Sequence, residues 1–181
     1  MSARAALRAG TADAHDRVDG LFSRLDLARP AHYRLFLLAQ AAAHLPIEAA
    51  LDAAGAGALL DDWSSRRRAR LLVADLEDMG LAPPPPLAPP PFLTDAAKFG
   101  AIYVLEGSRL GASLLRKGLP PTAPTRFLAA PQVPGAWRKL LAKLDEALYE
   151  TRQGEAAIDT ARQVFERFEA AGLRYVEFER A

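Results

Sequence analysis

The sequence contains no cysteine and few β-branched aliphatic residues, and both absences narrow what the protein can be. Without cysteine there is no disulfide, no thiol nucleophile and no Cys-ligated zinc or iron–sulfur cluster, so His15, His32 and His44 are the strongest soft ligands that remain. The chain has 6 Val and 3 Ile against 38 Ala and 28 Leu. Because sheets prefer β-branched residues and helices prefer Ala and Leu, we expect an all-α fold.

A large charge of either sign is also missing. Lys and Arg total 23, Asp and Glu total 22, and the resulting charge of +1 removes the electrostatic reason to expect nucleic acid as a partner. No apolar core of signal-peptide length follows Arg4 and Arg8, and the most apolar stretch, 96–115, contains three charged residues. The sequence therefore predicts a cytoplasmic protein with no membrane partner.

Proline is concentrated in two segments, since 12 of the 14 prolines lie in 83–91 and 120–134. We expect proline-rich connections at 83–91 and 119–135 within a single domain spanning 1–181. The apolar spacing predicts helices between these connections. They are expected at 2–25, from Pro30 onward with a bend or break at Pro46, from a cap at Ser64 or Ser65 to Gly80, from Thr94 or Asp95 to Lys117, and at about 136–152 and 155–179.

Two residue spacings suggest where a ligand could bind. Arg8 and His15 are seven residues apart, so on a helix they share a face, roughly 10.5 Å apart along the axis. Such a pair suits a flat ligand with an anionic rim, although a histidine on a helix is more often a packed residue. Gly107 and Gly111 share a face inside a strong helical pattern, where each glycine costs about 1 kcal/mol relative to alanine. Either another helix packs closely there, or backbone lies against a ligand.

These residues also carry a family resemblance. The stretch 7–15 reads Leu-Arg-x-x-Thr-x-x-x-His, and 103–111 reads Tyr-Val-Leu-Glu-Gly-Ser-x-x-Gly. With the helix around His44-Leu45-Pro46-Ile47-Glu48, they resemble the bacterial heme oxygenases, especially those that make biliverdin for bacteriophytochromes. The resemblance implies a single-domain helical fold that holds heme between a proximal N-terminal helix and a kinked distal helix. It further implies O2- and electron-dependent cleavage of heme to biliverdin, CO and Fe2+.

The resemblance also implies roles for individual residues. His15 corresponds to the axial ligand of the heme iron, and Arg8 to a residue that pairs with a heme propionate. Arg138, or in reserve Lys143, corresponds to the second propionate partner. The distal glycines are Gly107 and Gly111, and Ser108 takes the place of a carboxylate that organises water for proton delivery in animal members. The implied partners are a ferredoxin or flavoprotein reductase as electron donor, and a biliverdin acceptor such as a bacteriophytochrome.

Two residues depart from the family pattern. Ala112 replaces a common third glycine and is expected to narrow the pocket by one methyl group, while Arg109 replaces a small polar residue and is expected either to face solvent or to contact a propionate. A heme carrier or sensor on the same fold, and a helical adaptor whose glycine face packs on a partner, remain as alternatives.

The other polar residues have simpler interpretations. We expect His44 to satisfy a backbone carbonyl freed by the bend at Pro46, His32 to be solvated, and Glu106 to lie on the helix surface or in a buried ion pair. The basic run 66–70 is expected to form a solvated face, with docking of an acidic electron donor as the lesser alternative.

Overall fold

A computed structural model describes residues 2–131 and 133–176. Within those ranges the chain forms helices joined by loops, which confirms the all-α prediction. The helices are α1 (Ala3–Phe22), α2 (Pro30–Ala53), α3 (Ala56–Leu59), α4 (Trp63–Arg66), α5 (Ala69–Asp78), α6 (Asp95–Lys117), α7 (Ala136–Ala147) and α8 (Thr151–Val176).

The last helix organises the fold. α8 packs against α1, α2 and α6, whereas α1 and α6 make few contacts with each other. Glycine permits two of these packings, because a Cβ at Gly100 would lie 2.2 Å from the Ala157 carbonyl oxygen and one at Gly172 would lie 2.4 Å from Leu21. α7 packs against both α1 and α6. We call the region between α1 and α6, beside α7, the cleft.

α2 runs without a break through Pro46, so the expected split is wrong, while the expected bend stays a prediction. Proline at this position removes the hydrogen bond that would otherwise reach the Ala42 carbonyl. The backbone N–H of Leu87 donates to that carbonyl instead, at 2.8 Å, and so attaches the proline-rich connection to α2. Arg174 and Arg167 of α8 hold the same connection by donating to the Pro85 and Ala88 carbonyls.

The expected cap at Ser64 or Ser65 is wrong. α5 begins at Ala69, and its first N–H groups, those of Arg68 and Ala69, donate to the carboxylate of Glu48 on α2 at 2.8 and 3.0 Å. A carboxylate at a helix N-terminus satisfies unpaired donors and complements the helix dipole. The opposite end of this segment follows the prediction, since Gly80 has the left-handed φ of 68°.

α2 is the one helix of the described ranges that is long and apolar enough to cross a membrane by length and composition. Of the most apolar 18-residue window of α2, 56% is buried inside the fold. The central core helix of a globular protein has the same properties, so this helix is explained by the core it forms.

Candidate functional site

α1 presents His15 and Arg8 on its exposed side, as the two-turn spacing predicts. The His15 side chain is 55% exposed, and its ring meets Phe165 of α8 edge-on at 5.7 Å between ring centroids. Leu7, Thr11 and Ala14 are buried and attach the other side of α1 to the core. His15 is therefore accessible to a ligand, although its ring also packs against Phe165.

A carboxylate on the same helix holds one nitrogen of His15. The Nδ1 atom lies 3.3 Å from an Asp19 oxygen, one turn on, and 3.8 Å from an Asp16 oxygen. A carboxylate beside one ring nitrogen fixes the orientation of an imidazole and leaves the other nitrogen, here Nε2, for a metal.

The glycines of α6 face open space. A Cβ added at Gly111 would meet nothing within 4 Å, and one at Gly107 would meet only the Trp137 ring, at 4.0 Å. Close packing against another helix, which explains Gly100, therefore does not explain these two residues. Their lack of side chains leaves helix backbone accessible on one side, as an approaching flat ligand would require.

Apolar side chains extend this open side of α6. At about 100° per residue, Tyr103, Leu110 and Leu114 lie within about 60° of Gly107. Leu110 is 45% exposed and Leu114 is 69% exposed, which is unusual for large apolar residues on neighbouring turns. We call Tyr103, Gly107, Leu110, Gly111 and Leu114 the glycine face.

Tyr103 connects the glycine face with α1. Burial raises the pKa of its hydroxyl, and the nearby positive charges of Arg4 and Arg8 act in the opposite direction. The Tyr103 ring lies 5.7 Å from that of Trp137 on α7, centroid to centroid. α1 therefore brings the cations of Arg4 and Arg8 close to Tyr103 of the glycine face.

Ser108 lies beside the glycine face and is held from behind by a buried arginine. Its hydroxyl accepts a hydrogen bond from Nη2 of Arg68 at 2.7 Å and donates to the Leu105 carbonyl at 2.7 Å. Arg68 is 2% exposed and stacks over the Phe127 ring at 4.6 Å. Burial, with a contribution from Arg109, lowers the pKa of Arg68 to about 10, so the guanidinium stays charged at neutral pH.

The histidine expected to bind a carbonyl at Pro46 has a different partner. His44 is buried, and its Nε2 lies 3.0 Å from Oε2 of Glu48, the carboxylate that caps α5. Burial lowers the pKa of His44. Burial alone would raise the pKa of Glu48, but hydrogen bonds from His44 and two backbone N–H groups outweigh it and lower that pKa. His32 is buried rather than solvated, and its Nδ1 accepts from the Asp26 N–H at 2.8 Å.

The basic run does not form one solvated face. Arg66 and Arg68 are buried, while Arg67 and Arg70 are exposed, so the run alternates between core and solvent. Arg66 donates to Glu106 at 2.8 Å, which confirms the buried-pair interpretation of Glu106 and removes Arg66 from any docking surface.

Both departures from the family pattern point into the protein. Arg109 is buried and donates to Glu106 and to the carbonyls of Arg66 and Pro131, so it neither faces solvent nor is free for a propionate. Ala112 belongs to the core cluster that contains Phe127, so its methyl group does not narrow the cleft.

The predicted second propionate partners lie along two other cavities. Arg138 lines a cavity of about 580 Å³ with Asp62 and Lys139, and Lys143 lines one of about 630 Å³ with Thr94 and Arg152. Neither cavity includes Arg8 or His15. Their propionate role stays a prediction, and in residues 2–131 and 133–176 no group of three or more His, Asp or Glu is placed to hold a metal ion.

Four residues of this region were missed in the sequence. Arg4 and Asp19 were within reach of sequence reasoning, because they lie four residues from Arg8 and His15 on the same helix face. Arg68 and Trp137 carry no such signal, since only the packing of α5 and α7 on α6 brings them to Ser108 and Gly107.

The fold and the cleft define a class of protein: an all-helical domain with one accessible imidazole on its first helix and bare glycine backbone on a second. No protein-family model matches the sequence. Over 112 residues the chain is 37% identical to a heme oxygenase of Xanthomonas campestris pv. campestris, a match that covers 59% of this chain and 67% of that protein. A structure of the NO- and CO-bound heme oxygenase of Neisseria meningitidis matches the fold with a TM-score of 0.78, over 98% of this chain and 93% of that one, at 22% identity.

The chain belongs to the heme oxygenase family, as the motifs at 7–15 and 103–111 predict.

Proposed function

We propose that this protein is a heme oxygenase that binds heme in the cleft between α1 and α6 and cleaves it to biliverdin, CO and Fe2+. The single observation that carries the proposal is the open surroundings of Gly107 and Gly111. Two helix glycines that no neighbouring residue requires are explained by a ligand that lies against their backbone. Membership of the family supports heme as that ligand.

The residues of the cleft fit heme chemically. Heme is flat and apolar, has two carboxylates at its rim and needs a nitrogen ligand for its iron. His15 would supply that nitrogen through Nε2, with Asp19 holding Nδ1 at 3.3 Å. Leu110 and Leu114 would cover the apolar ring, and Arg8 would pair with one propionate, with Arg138 or Lys143 as the proposed partner of the other.

When bound, heme supplies both the iron that takes up dioxygen and the ring that is cleaved. The protein orients the heme and positions the groups that deliver protons. Gly107 and Gly111 would leave room for heme beside the backbone of α6. The Ser108 hydroxyl donates its hydrogen bond to the Leu105 carbonyl and accepts one from Arg68. Its second lone pair is left to accept a hydrogen bond from a water molecule. Ser108 would therefore position water rather than act as a base.

The reaction also requires electrons from outside the chain. We propose a ferredoxin or a flavoprotein reductase as the donor, a cytoplasmic location, and a bacteriophytochrome as a possible acceptor of biliverdin. None of the buried arginines can contribute to the donor's docking site, because Arg66, Arg68 and Arg109 are committed to internal carboxylates, carbonyls and a hydroxyl.

A hemin titration tests the proposal. Purified protein mixed with hemin is expected to develop a Soret band, which then disappears in air with a reducing system as broad red absorbance of biliverdin grows. A Soret band that persists under reduction in air would make the protein a carrier or sensor. A Soret band that does not differ from that of free hemin would refute heme binding.

His15→Ala tests the axial ligand. We expect it to lose the imidazole-ligated spectrum, and free imidazole to restore that spectrum by entering the vacated position. Because the side chain is 55% exposed, the fold should be retained. A His15→Ala spectrum identical to that of the unaltered protein would show that His15 is not the ligand.

A further inference from the structure

Directly behind the glycine face, α6 carries a buried cluster of opposite charges. Arg109 is two residues from each glycine, which on a helix turns it about 160° away from both. Glu106, one residue before Gly107, is 2% exposed, and its carboxylate lies between Arg109 at 3.2 Å and Arg66 at 2.8 Å. The cluster and the glycine face are thus opposite sides of the same two helical turns.

The cluster connects these turns to three other parts of the chain. Arg109 donates to the carbonyls of Arg66, at the end of α4, and Pro131, in the loop after α6. Arg66 donates in turn to the Ala136 carbonyl at the start of α7, at 2.9 Å, and to both oxygens of Asp62. Each of these hydrogen bonds ends on a backbone carbonyl or a carboxylate, so contacts from several directions fix the position of α6.

The charges within the cluster balance. Two guanidinium groups, Arg66 and Arg109, face two carboxylates, Glu106 and Asp62. An apolar pair would fill the same volume at no cost in desolvation, and buried ion pairs are often no more stabilising than such replacements. An apolar pair would not fix the relative positions of the helices as closely. Forked guanidinium groups set hydrogen-bond distances and angles that packed alkyl chains do not.

The glycine face needs a fixed position more than any other part of α6. Glycine permits more backbone conformations than other residues, and on the open side of α6 only the Trp137 ring, 4.0 Å from a Cβ at Gly107, lies near the two glycines. We infer that Arg109, Glu106 and Arg66 are positioning residues that hold the backbone of Gly107–Gly111 at a set distance from the ligand plane. This inference rests on the proposed function, because it assigns the cluster a purpose at the proposed heme site.

Hydrogen exchange of the protein without heme tests the positioning directly. Arg109→Met keeps a long side chain and removes the fork, and we expect the amides of 105–112 to exchange at least tenfold faster than in the unaltered protein. Leu51→Ala, a buried core substitution in α2, is the control for general loss of stability. Conditions are chosen so that both variants have the same unfolding free energy, and the control should leave the local exchange pattern of 105–112 unchanged.

Arg109→Lys keeps the charge without the fork and is the second variant if Arg109→Met does not fold. We expect its exchange at 105–112 to lie between those of Arg109→Met and the unaltered protein. Exchange in a folded Arg109 variant that matches the stability-matched control would overturn the inference.

A second readout follows the bound ligand. In the hemin-loaded, reduced protein we expect Arg109→Met to change the CO dissociation rate severalfold and to broaden the mixture of biliverdin isomers, while the His15-ligated spectrum is retained. An unaltered protein that turns over heme, together with a variant whose exchange, CO rate and isomers are all unchanged, would refute the cluster's role alone. An unaltered protein that binds no hemin would refute the proposed function, while the exchange measurement would still report whether the cluster restrains the glycines.

Discussion

Replacing the two open glycines with alanine should stabilise the protein and impair its function. In a helix interior alanine is favoured over glycine by about 1 kcal/mol, provided that the new methyl group meets no neighbour. At Gly111 nothing lies within 4 Å of the added Cβ, and at Gly107 the Trp137 ring is in ordinary contact at 4.0 Å. We therefore expect about 1 kcal/mol of added stability from each substitution and about 2 kcal/mol from both.

A third glycine of the same helix provides the matched control. A Cβ at Gly100 would lie 2.2 Å from the Ala157 carbonyl oxygen, which is backbone and cannot rotate away. Gly100→Ala must push α6 from α8, and overpacking of this kind destabilises by about 1–3 kcal/mol. The same substitution in the same helix should thus have opposite signs at position 100 and at positions 107 and 111.

Thermal and urea unfolding of the heme-free protein measure these signs. For a chain of this size, 1 kcal/mol corresponds to about 2–4 °C in Tm. In the hemin-loaded protein, the methyl group of Gly111→Ala would occupy space that the ring needs. A steric cost of about 1.4 kcal/mol would reduce hemin affinity or turnover about tenfold.

Two results would refute this reasoning. A heme-free Gly111→Ala protein that is less stable than the unaltered one would show that the side of α6 at Gly111 is not open. Full hemin affinity and full turnover in Gly107→Ala and in Gly111→Ala would show that no ligand lies against this backbone.

Two further predictions concern histidines. Asp19→Asn should lower hemin affinity about tenfold in a spectral titration, because the carboxylate 3.3 Å from Nδ1 orients the His15 ring; Asp16→Asn, at 3.8 Å, is the control. Burial lowers the pKa of His44, so below about pH 6.5 the unfolded chain binds a proton that the folded chain excludes. The stability that His44 contributes is therefore full above about pH 6.5 and falls by up to about 1.4 kcal/mol per pH unit below it. In His44→Gln, the unfolding free energy measured with urea should depend less on pH between pH 7.5 and 5.5.

Each of these predictions has an outcome that contradicts it. Equal hemin affinities in Asp19→Asn and Asp16→Asn would mean that the 3.3 Å contact does not support His15. A His44→Gln protein with the same dependence of unfolding free energy on pH as the unaltered protein would mean that His44 is not held neutral.

The helix faces that carry the candidate ligand-binding residues could be predicted from the sequence. Helix geometry alone determines that Arg8 and His15 share a face, and that Gly107 and Gly111 share another. Composition indicated helix for a similar reason, because an excess of Ala and Leu over β-branched residues acts locally. The span of α6 from the cap at Thr94 to Lys117 was also within reach, because its cap and its end are local signals.

Only the tertiary structure decided which charges face inward. The run at 66–70 looks uniform in sequence, yet Arg66 and Arg68 are buried because Glu106 and Ser108 on α6 lie where they enter the core. Arg109 is turned inward by the same packing. Pro46 has no N–H for the Ala42 carbonyl, and the N–H of Leu87, 41 residues after Pro46, donates to that carbonyl instead. Partners far apart in sequence meet only through the packing of whole helices, and no local pattern records them.

Having no cysteine and only three histidines, the sequence by itself limited any soft metal chemistry to these imidazoles, and helix phase pointed to His15. That His15 is exposed, while His32 and His44 are buried, was decided by how α1 and α2 pack in the fold. The openness of Gly107 and Gly111 was decided in the same way. A missing side chain is visible in sequence, but whether a neighbouring helix or a ligand occupies the space is a property of the assembled fold.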